Sequence, residues 1–161
     1  MNVVKKPSII LFMAICILTI MTTAAFAATK IVYNGRASSG WTGSGSFRLS
    51  NACGYDGSMY WQYGVGSNYQ NESVGLWDFG IAASNVGYYV YIPSCYSNAE
   101  VVYHCYYSWD RVDISVDQAN YYNEWVWLGQ FNTTDQADIL MGNAYVPTSE
   151  QVGWDEVKYV Y

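Results

Sequence analysis

Beyond residue 27 the chain carries no helical spacing of apolar residues, whereas a two-residue alternation of apolar and polar positions recurs between clusters of Gly, Asn, Ser and Asp. Alternation with period two is the mark of a strand with one face in a core and one in water. The clearest case is Arg111 to Asp117, where Val112, Ile114 and Val116 fall on one face and Asp113, Ser115 and Asp117 on the other. The first face is expected in the core and the second in solvent. Around it the same reading gives strands at Ser46 to Ser50, Met59 to Tyr63, Ser73 to Phe79, Val86 to Ile92, Ala99 to Tyr106, Glu124 to Phe131, Ala137 to Gly142 and Glu156 to Tyr161. The Gly- and Ser-rich stretch Ser38 to Ser46 contains Trp41 and is read as an ordered coil packed on the domain rather than a linker. Short strands of this number with turn signals between them predict an all-β fold, a two-sheet antiparallel β-sandwich of jelly-roll type.

The first 27 residues break this pattern. Lys5 and Lys6 precede a continuous apolar run from Ile9 to Ile20, and Ala25-Phe26-Ala27 places small residues where a leader is cut. Residues 1–27 therefore read as a signal peptide and 28–161 as one domain, secreted and extracellular. An uncleaved anchor fits less well, because Thr22, Thr23 and the alanines favour cleavage, and Ile15 before Cys16 is not the small residue of a lipidation site. The 134 residues left after cleavage can bury about two-thirds of the unfolded chain's surface around a single core.

Charge and composition narrow the function. Five of the seven basic residues and all 13 acidic ones lie beyond the leader, a net charge of −8 for the mature chain, which disfavours nucleic acid or an anionic membrane as partner. The same region holds all 17 Tyr, all seven Trp and three of five Phe, residues that suit half-buried sheet surfaces and sugar-stacking platforms alike. Cys53, Cys95 and Cys105 survive cleavage with no Cys-x-x-Cys spacing, and His104 is the single histidine, so a zinc site is not expected and no cofactor is implied.

Candidate chemistry is sparse. His104 shares a strand face with Glu100, but nothing fixes a nucleophile or an orienting carboxylate beside it, and it is read as a surface or rim histidine. No spacing marks a pair of glycosidase carboxylates; Asp113 and Asp117 lie on a solvated strand face. Asn132, Asp135 and Asp138 offer oxygen ligands without a calcium-loop spacing. Asn71-Glu72-Ser73 and Asn132-Thr133-Thr134 satisfy the N-glycosylation pattern.

At Gly87-Tyr88-Tyr89-Val90-Tyr91-Ile92-Pro93-Ser94 the chain resembles the golvesin C-terminal-like domain, also called the xanthan-lyase carbohydrate-binding-like domain. Val116-Asp117-Gln118, Trp125 to Phe131 and the closing Asp155 to Tyr159 follow in the same order, and Ile31 to Asn34, Gly40-Trp41 and Gly54-Tyr55 resemble its start. The resemblance covers nearly all of the mature chain. It implies an extracellular β-sandwich module, often appended to enzymes, and a non-catalytic carbohydrate-binding role. The chain departs from the pattern in standing without a catalytic partner, in its three cysteines, and in Glu156, where a small residue is usual.

Two expectations follow from strand direction, because consecutive antiparallel strands deliver their loops alternately to the two ends of a sandwich. Counting from Val86 to Ile92 puts Cys95 at one end and Cys53 and Cys105 at the other, so the expected disulfide is Cys53 to Cys105 with Cys95 the odd thiol. The same count gathers Tyr69, Tyr96, Tyr121 and Tyr122 at the Cys95 end and Tyr55, Tyr107 and Trp109 at the opposite one. Tyr96, Tyr121 and Tyr122 are the expected stacking residues for a polysaccharide or cell-wall glycan, with Asn120 and Asn123 as hydrogen-bonding partners. Trp41, Trp77 and Trp125 are assigned to the core. The competing function is a structural or protein-interaction module of an extracellular assembly that uses the same aromatics against a protein.

Overall fold

The computed structural model describes residues 27–80 and 82–161; the leader, apart from Ala27, lies outside the described residues. Twelve strands run in order β1 (Thr29–Val32), β2 (Trp41–Ser44), β3 (Arg48–Ser50), β4 (Met59–Tyr63), β5 (Val74–Asp78), β6 (Ala83–Ile92), β7 (Glu100–Tyr107), β8 (Asp110–Asp117), β9 (Glu124–Thr133), β10 (Ala137–Gly142), β11 (Gln151–Trp154) and β12 (Val157–Val160). Each of the nine expected strands is present. The expected coil around Trp41 is a strand, β2, because Trp41 pairs with Trp77 of β5 and buries its ring against it at 4.9 Å.

The strands form antiparallel sheets in the orders β1-β12-β6-β9, β2-β5-β10-β7-β8 and β11-β4-β3, none closed into a barrel. From β5 onward the chain passes from the second sheet to the first and back at nearly every connection, so the inner faces of the two share one core. Val86, Tyr88, Val90 and Ile92 of β6 face Val101, Tyr103 and Cys105 of β7 and Ile139 and Met141 of β10 within it.

Burial along β8 keeps the alternation read from sequence. Asp113, Ser115 and Asp117 are exposed, but of the apolar set only Val116 is fully buried, since β8 is the free edge of its sheet and Val112 and Ile114 are covered from one side alone. Trp125 departs from expectation. Val126 and Leu128 take the core positions of β9, so Trp125 and Trp127 point outward, Trp125 half-buried and Trp127 exposed.

Large aromatics fill the core and also tie its layers together. Tyr88 on β6 donates its hydroxyl to the Tyr106 carbonyl on β7 at 3.0 Å, and Tyr159 on β12 donates to Trp77 on β5 at 2.8 Å. The Trp77 indole donates to the Asp155 carbonyl at 2.8 Å, and the Trp154 indole to the Met141 carbonyl at 2.9 Å. Gln118, buried just after β8, exchanges two hydrogen bonds with Gly153 of β11 and donates a third to the Tyr103 hydroxyl.

The junction between β11 and β12 decides the rest of the layout. Trp154 and Val157 are both in the core, so the two residues between them exceed strict alternation by one and the strand bends there. On one side of the bend β12 pairs with β6; on the other β11 pairs with β4. The small sheet thus prolongs the four-stranded sheet lengthwise, and β4 begins beside Trp154 where β6 ends beside Glu156.

That lengthwise join corrects the expected disulfide. The bond is Cys53 to Cys95, not Cys53 to Cys105. Counting strands treated β4 as lying alongside β6, which would set the start of one and the end of the other at opposite ends. In the fold they meet, and Cys53 before β4 reaches Cys95 after β6. Cys105 is the free thiol, wholly buried on β7, where burial pushes it up to about 12.

The bend also holds two carboxyl groups out of water. Asp155 accepts hydrogen bonds from the backbone N–H of Tyr55 at 3.1 Å and of Glu156 at 3.0 Å. Burial nevertheless raises its carboxyl to about 8, the Tyr55 N–H opposing and nearby Asp56 adding to the rise. Glu156 is buried, and neither carboxyl oxygen has a hydrogen-bond partner.

Peptide mapping without reduction is expected to recover Cys53 joined to Cys95, with Cys105 alkylated only after unfolding; recovery of Cys53 with Cys105 would reject the layout. Replacing Cys53 and Cys95 together by Ala should cost up to about 4 kcal/mol of stability in the loop-entropy model. Asp155 gives a second prediction. Its native carboxyl holds a proton that the unfolded chain releases near pH 4, so unfolding sheds a proton between about pH 4 and about pH 8 and stability falls as pH rises through that window. Asp155 contributes at most about 1.4 kcal/mol per pH unit to the slope, a contribution that levels off above the native value and should be lost in Asp155→Asn when urea midpoints are compared across the window.

Candidate functional site

The outer face of the five-stranded sheet carries a cleft of about 580 Å³. Its floor follows from alternation on β7: Val101, Tyr103 and Cys105 turn into the core, leaving Glu100, Val102 and His104 outward. On β8 the partners of Val102 and His104 are Ser115 and Asp113, which share that face. Side chains opposite one another across the ladder interact directly. His104 Nδ1 lies 2.8 Å from Asp113 Oδ1, and Asp113 also accepts from Arg111. The His104 hydrogen bond, with the charges of His104 and Arg111, holds the Asp113 carboxyl below the usual carboxylate range. Ser115 donates its hydroxyl to Glu100 at 2.6 Å.

Two connections form the wall above this floor. The first, between β4 and β5, carries Tyr69 and Glu72; the second, between β10 and β11, carries Tyr145, Val146, Pro147 and Glu150. Tyr69 and Tyr145 are both more than half exposed, with ring centroids 5.1 Å apart at right angles, the edge-to-face arrangement that aromatic pairs favour. Tyr145 adopts φ of 63°, a left-handed turn that a side chain other than Gly occupies only at a cost, and it presents the ring on the rim. Gly142 leaves space that Glu72 occupies: a Cβ there would collide with Glu72 Oε1.

Asn143 fastens the two connections to one another. It is fully buried, accepts from the Ser73 N–H at 2.7 Å, donates to the Tyr63 carbonyl at 2.6 Å, and bonds Ser73 and Val65 through its own backbone. One buried amide thus sets the spacing of both rim segments. With Glu72, Glu100 and Glu150 in the lining and no Lys or Arg, the cleft presents acceptors to hydroxyl or amine donors and repels anions.

The residues expected to stack a sugar lie elsewhere, at the loops after β6 and β8. Tyr96 stacks on Trp61 with centroids 4.3 Å apart and an interplanar angle of 11°. Tyr121 is half-buried and packs on the core, whereas Tyr122 is exposed. Asn120 donates to Asp117, and Asn123 accepts from the Ser94 N–H, which ties the two loops together. These side chains are brought to one end of the fold, where Tyr96, Asn120, Tyr121 and Asn123 hold a loop or pack on the core and Tyr122 is exposed. Of the group expected at the opposite end, Trp109 stands almost fully in water at the β7–β8 turn and Tyr107 stacks on Phe131, whereas Tyr55 follows Cys53 to the Cys95 end and packs on Tyr91 and Trp125. Asn132 accepts from the Asn85 N–H and Asp138 from Gln136, and among the described residues no group of three His, Cys, Asp or Glu side chains is placed to hold a metal ion.

No family model matches the chain, and no curated protein matches it. A solved structure of a Paenibacillus xanthan lyase is similar, with a TM-score of 0.65 and 18% sequence identity over 82% of this chain. The match takes in 13% of the lyase chain, so the protein spans a small part of that enzyme's length. At this identity the likeness is one of fold.

Two features of the cleft are visible in sequence as separate facts: the Glu100, His104 strand face, and Tyr69 among the loop aromatics. Their meeting is not, because it depends on Asn143 pinning two connections about 70 residues apart. Replacing Asn143 by Ala should leave the Ser73 N–H and the Tyr63 carbonyl unpaired, lowering stability by on the order of 2–4 kcal/mol. Hydrogen exchange should then speed up selectively around residues 65–73 and 143–150; unchanged exchange there would reject the fastening role.

Proposed function

We propose that this chain is a secreted, non-catalytic carbohydrate-binding-like module of jelly-roll type, related to the golvesin C-terminal-like domain, whose glycan lies in the cleft over the five-stranded sheet. The observation that carries the reading is the pair of exposed tyrosines, Tyr69 and Tyr145, set on the rim of a cleft with convergent polar groups. Tyrosine faces take the apolar C–H side of a sugar ring, and Glu72, Glu100, Glu150 and His104 meet hydroxyls. The carboxylates favour a neutral or amine-bearing glycan over an anionic one.

The winding of β1, β5 to β10 and β12, which sends the chain back and forth between two sheets, supports the jelly-roll assignment. Likeness to a part of a xanthan lyase supports a carbohydrate partner. Binding without catalysis is favoured by the hydrogen bonding: Ser115 donates to Glu100 and His104 is held by Asp113, so the cleft shows no Ser–His pair among the described residues. An extracellular placement is supported by the Cys53 to Cys95 disulfide and by the leader read from sequence.

Affinity electrophoresis against neutral plant, microbial and cell-wall polysaccharides is the test. Retardation by at least one is expected, together with its loss in the Tyr69→Ala, Tyr145→Ala double variant at a nearly unchanged Tm, since exposed rings contribute little to stability. No retardation by any of them, or retention undiminished in the double variant, would overturn the cleft as the site.

A further inference from the structure

The outer face of the four-stranded sheet is built from different residues. β6 turns Tyr89 and Tyr91 outward, β9 turns Trp125 and Trp127 outward, and the ladder sets Tyr89 opposite Trp127 and Tyr91 opposite Trp125. Cross-strand partners lie about 5 Å apart and same-face residues along a strand about 7 Å apart, so the four rings cover a patch of open sheet in a regular grid. Tyr55 closes one end of it, 5.2 Å from Tyr91 and 4.9 Å from Trp125. At the other end Trp127 is 61% exposed and borders a shallow depression of about 260 Å³ with Asn85, Gly87, Gln130 and Tyr161. Gly87 keeps that floor low: a Cβ there would press on the Tyr89 ring at 3.1 Å.

One cation sits over the middle of the grid. Lys158 of β12, opposite Tyr89 in the ladder, holds its ammonium 4.6 Å from the Tyr89 ring centroid and 4.4 Å from that of Trp125. Ring faces stabilise the charge and fix its position without neutralising it. Among the described residues the salt bridges involve Arg36, His104 and Arg111, and Lys158 has no carboxylate within ion-pairing distance. Lys30 and Arg48 also lie against rings without an ion pair among the described residues, and Lys158 is the cation set within this grid.

We propose that this face is a second glycan-binding surface, one that takes an anionic polysaccharide: a sugar ring stacks on Trp127 and Tyr89 while a carboxylate or comparable acidic substituent pairs with Lys158. At the edge of the depression Gln130 donates to the Asn85 carbonyl at 3.1 Å, and the Asn85 side-chain amide with the Gln130 amide oxygen suit ring hydroxyls. A single cation among rings matches a chain bearing one acid group per sugar better than a lipid surface, whose recruitment draws on several basic residues. The surface shares only the ligand class with the cleft described above, not its residues, and its charge preference is the reverse.

Calorimetric titration of the intact domain with oligogalacturonate, oligoalginate and a hyaluronan oligosaccharide, with a neutral cello-oligosaccharide alongside, tests the surface. At least one acidic ligand is expected to bind, with affinity that falls as salt is raised. Trp127→Ala and Lys158→Gln should each weaken it about tenfold or more at unchanged Tm, while the Tyr69→Ala, Tyr145→Ala variant binds it as the native chain does. Lys158→Arg should retain most of the affinity, separating lost charge from lost packing. The proposal is overturned if none of the three acidic ligands binds, if binding survives Trp127→Ala and Lys158→Gln, or if the cleft variant loses it. Loss of neutral-glycan binding alone in the cleft variant would leave this surface standing; absence of neutral binding with acidic binding intact would remove the cleft reading instead.

Discussion

Hydrogen bonds from buried aromatic tips to backbone carbonyls on the facing sheet hold the whole arrangement in register. A core of Val, Ile and Leu can slide, because hydrophobic contact has no direction. Here Tyr88, Tyr159, Trp77 and Trp154 each carry a polar atom that must find a partner once buried, and each finds a carbonyl across the core. A carbonyl with one lone pair in the ladder still has another to offer, so such bonds leave the ladders intact. Removing one tip loses a buried hydrogen bond, about 0.5–1.5 kcal/mol, whereas shifting one sheet over the other would leave several buried donor tips unpaired at once, at about 1–3 kcal/mol each.

Two of those four bonds converge near the bend between β11 and β12, where Trp154 donates into the five-stranded sheet and the Asp155 carbonyl receives the Trp77 indole. The bend is therefore held from both layers. From it come the lengthwise placement of the small sheet, the meeting of Cys53 with Cys95, and the burial of Asp155 and Glu156. Sequestering two carboxyl groups is expensive unless they stay neutral or are paired. The fold accepts that cost at the place where the strand must change partner, and the disulfide closes the segment that covers it.

What the sequence revealed was whatever depends on neighbours along the chain. Alternation found nine strands because half-buried strands write their faces into successive residues. It passed over β1, β2 and β11 for different reasons: Thr29 to Val32 adjoins the leader, Trp41 to Ser44 hides its alternation behind Gly43, and Gln151 to Trp154 has Gly153 in place of an inward or outward side chain. Trp125 was assigned inward because apolar residues on both faces of Trp125-Val126-Trp127-Leu128 give periodicity nothing to choose with; the structure chooses Val126 and Leu128. The disulfide failed on a three-dimensional point, sheets joined end to end, that strand counting does not encode. Gln118 illustrates the converse. It stands out in sequence only through the family resemblance, and its amide bonds to β11 supply a reason why a Gln fits that position.

The cleft and the aromatic face lie on the outer faces of two sheets that share one core, and they differ in the sign of what they present. The five-stranded sheet offers Glu72, Glu100 and Glu150 beneath two tyrosines; the four-stranded sheet offers Lys158 among four rings. Both follow from one constraint. Inward positions are filled so completely by Trp, Tyr and branched residues that charge and surplus aromatics fall to the outward set. Strand order then sorts that set, because β7 and β8 carry the polar outward positions and β6 and β9 the aromatic ones. Since the sheets are fixed back to back by the tyrosine and tryptophan bonds between them, a ligand on one face leaves the other accessible. On the two proposals above, the glycan chains would be held apart by the thickness of the two layers, roughly 10 Å between sheets plus the side chains on each outer face.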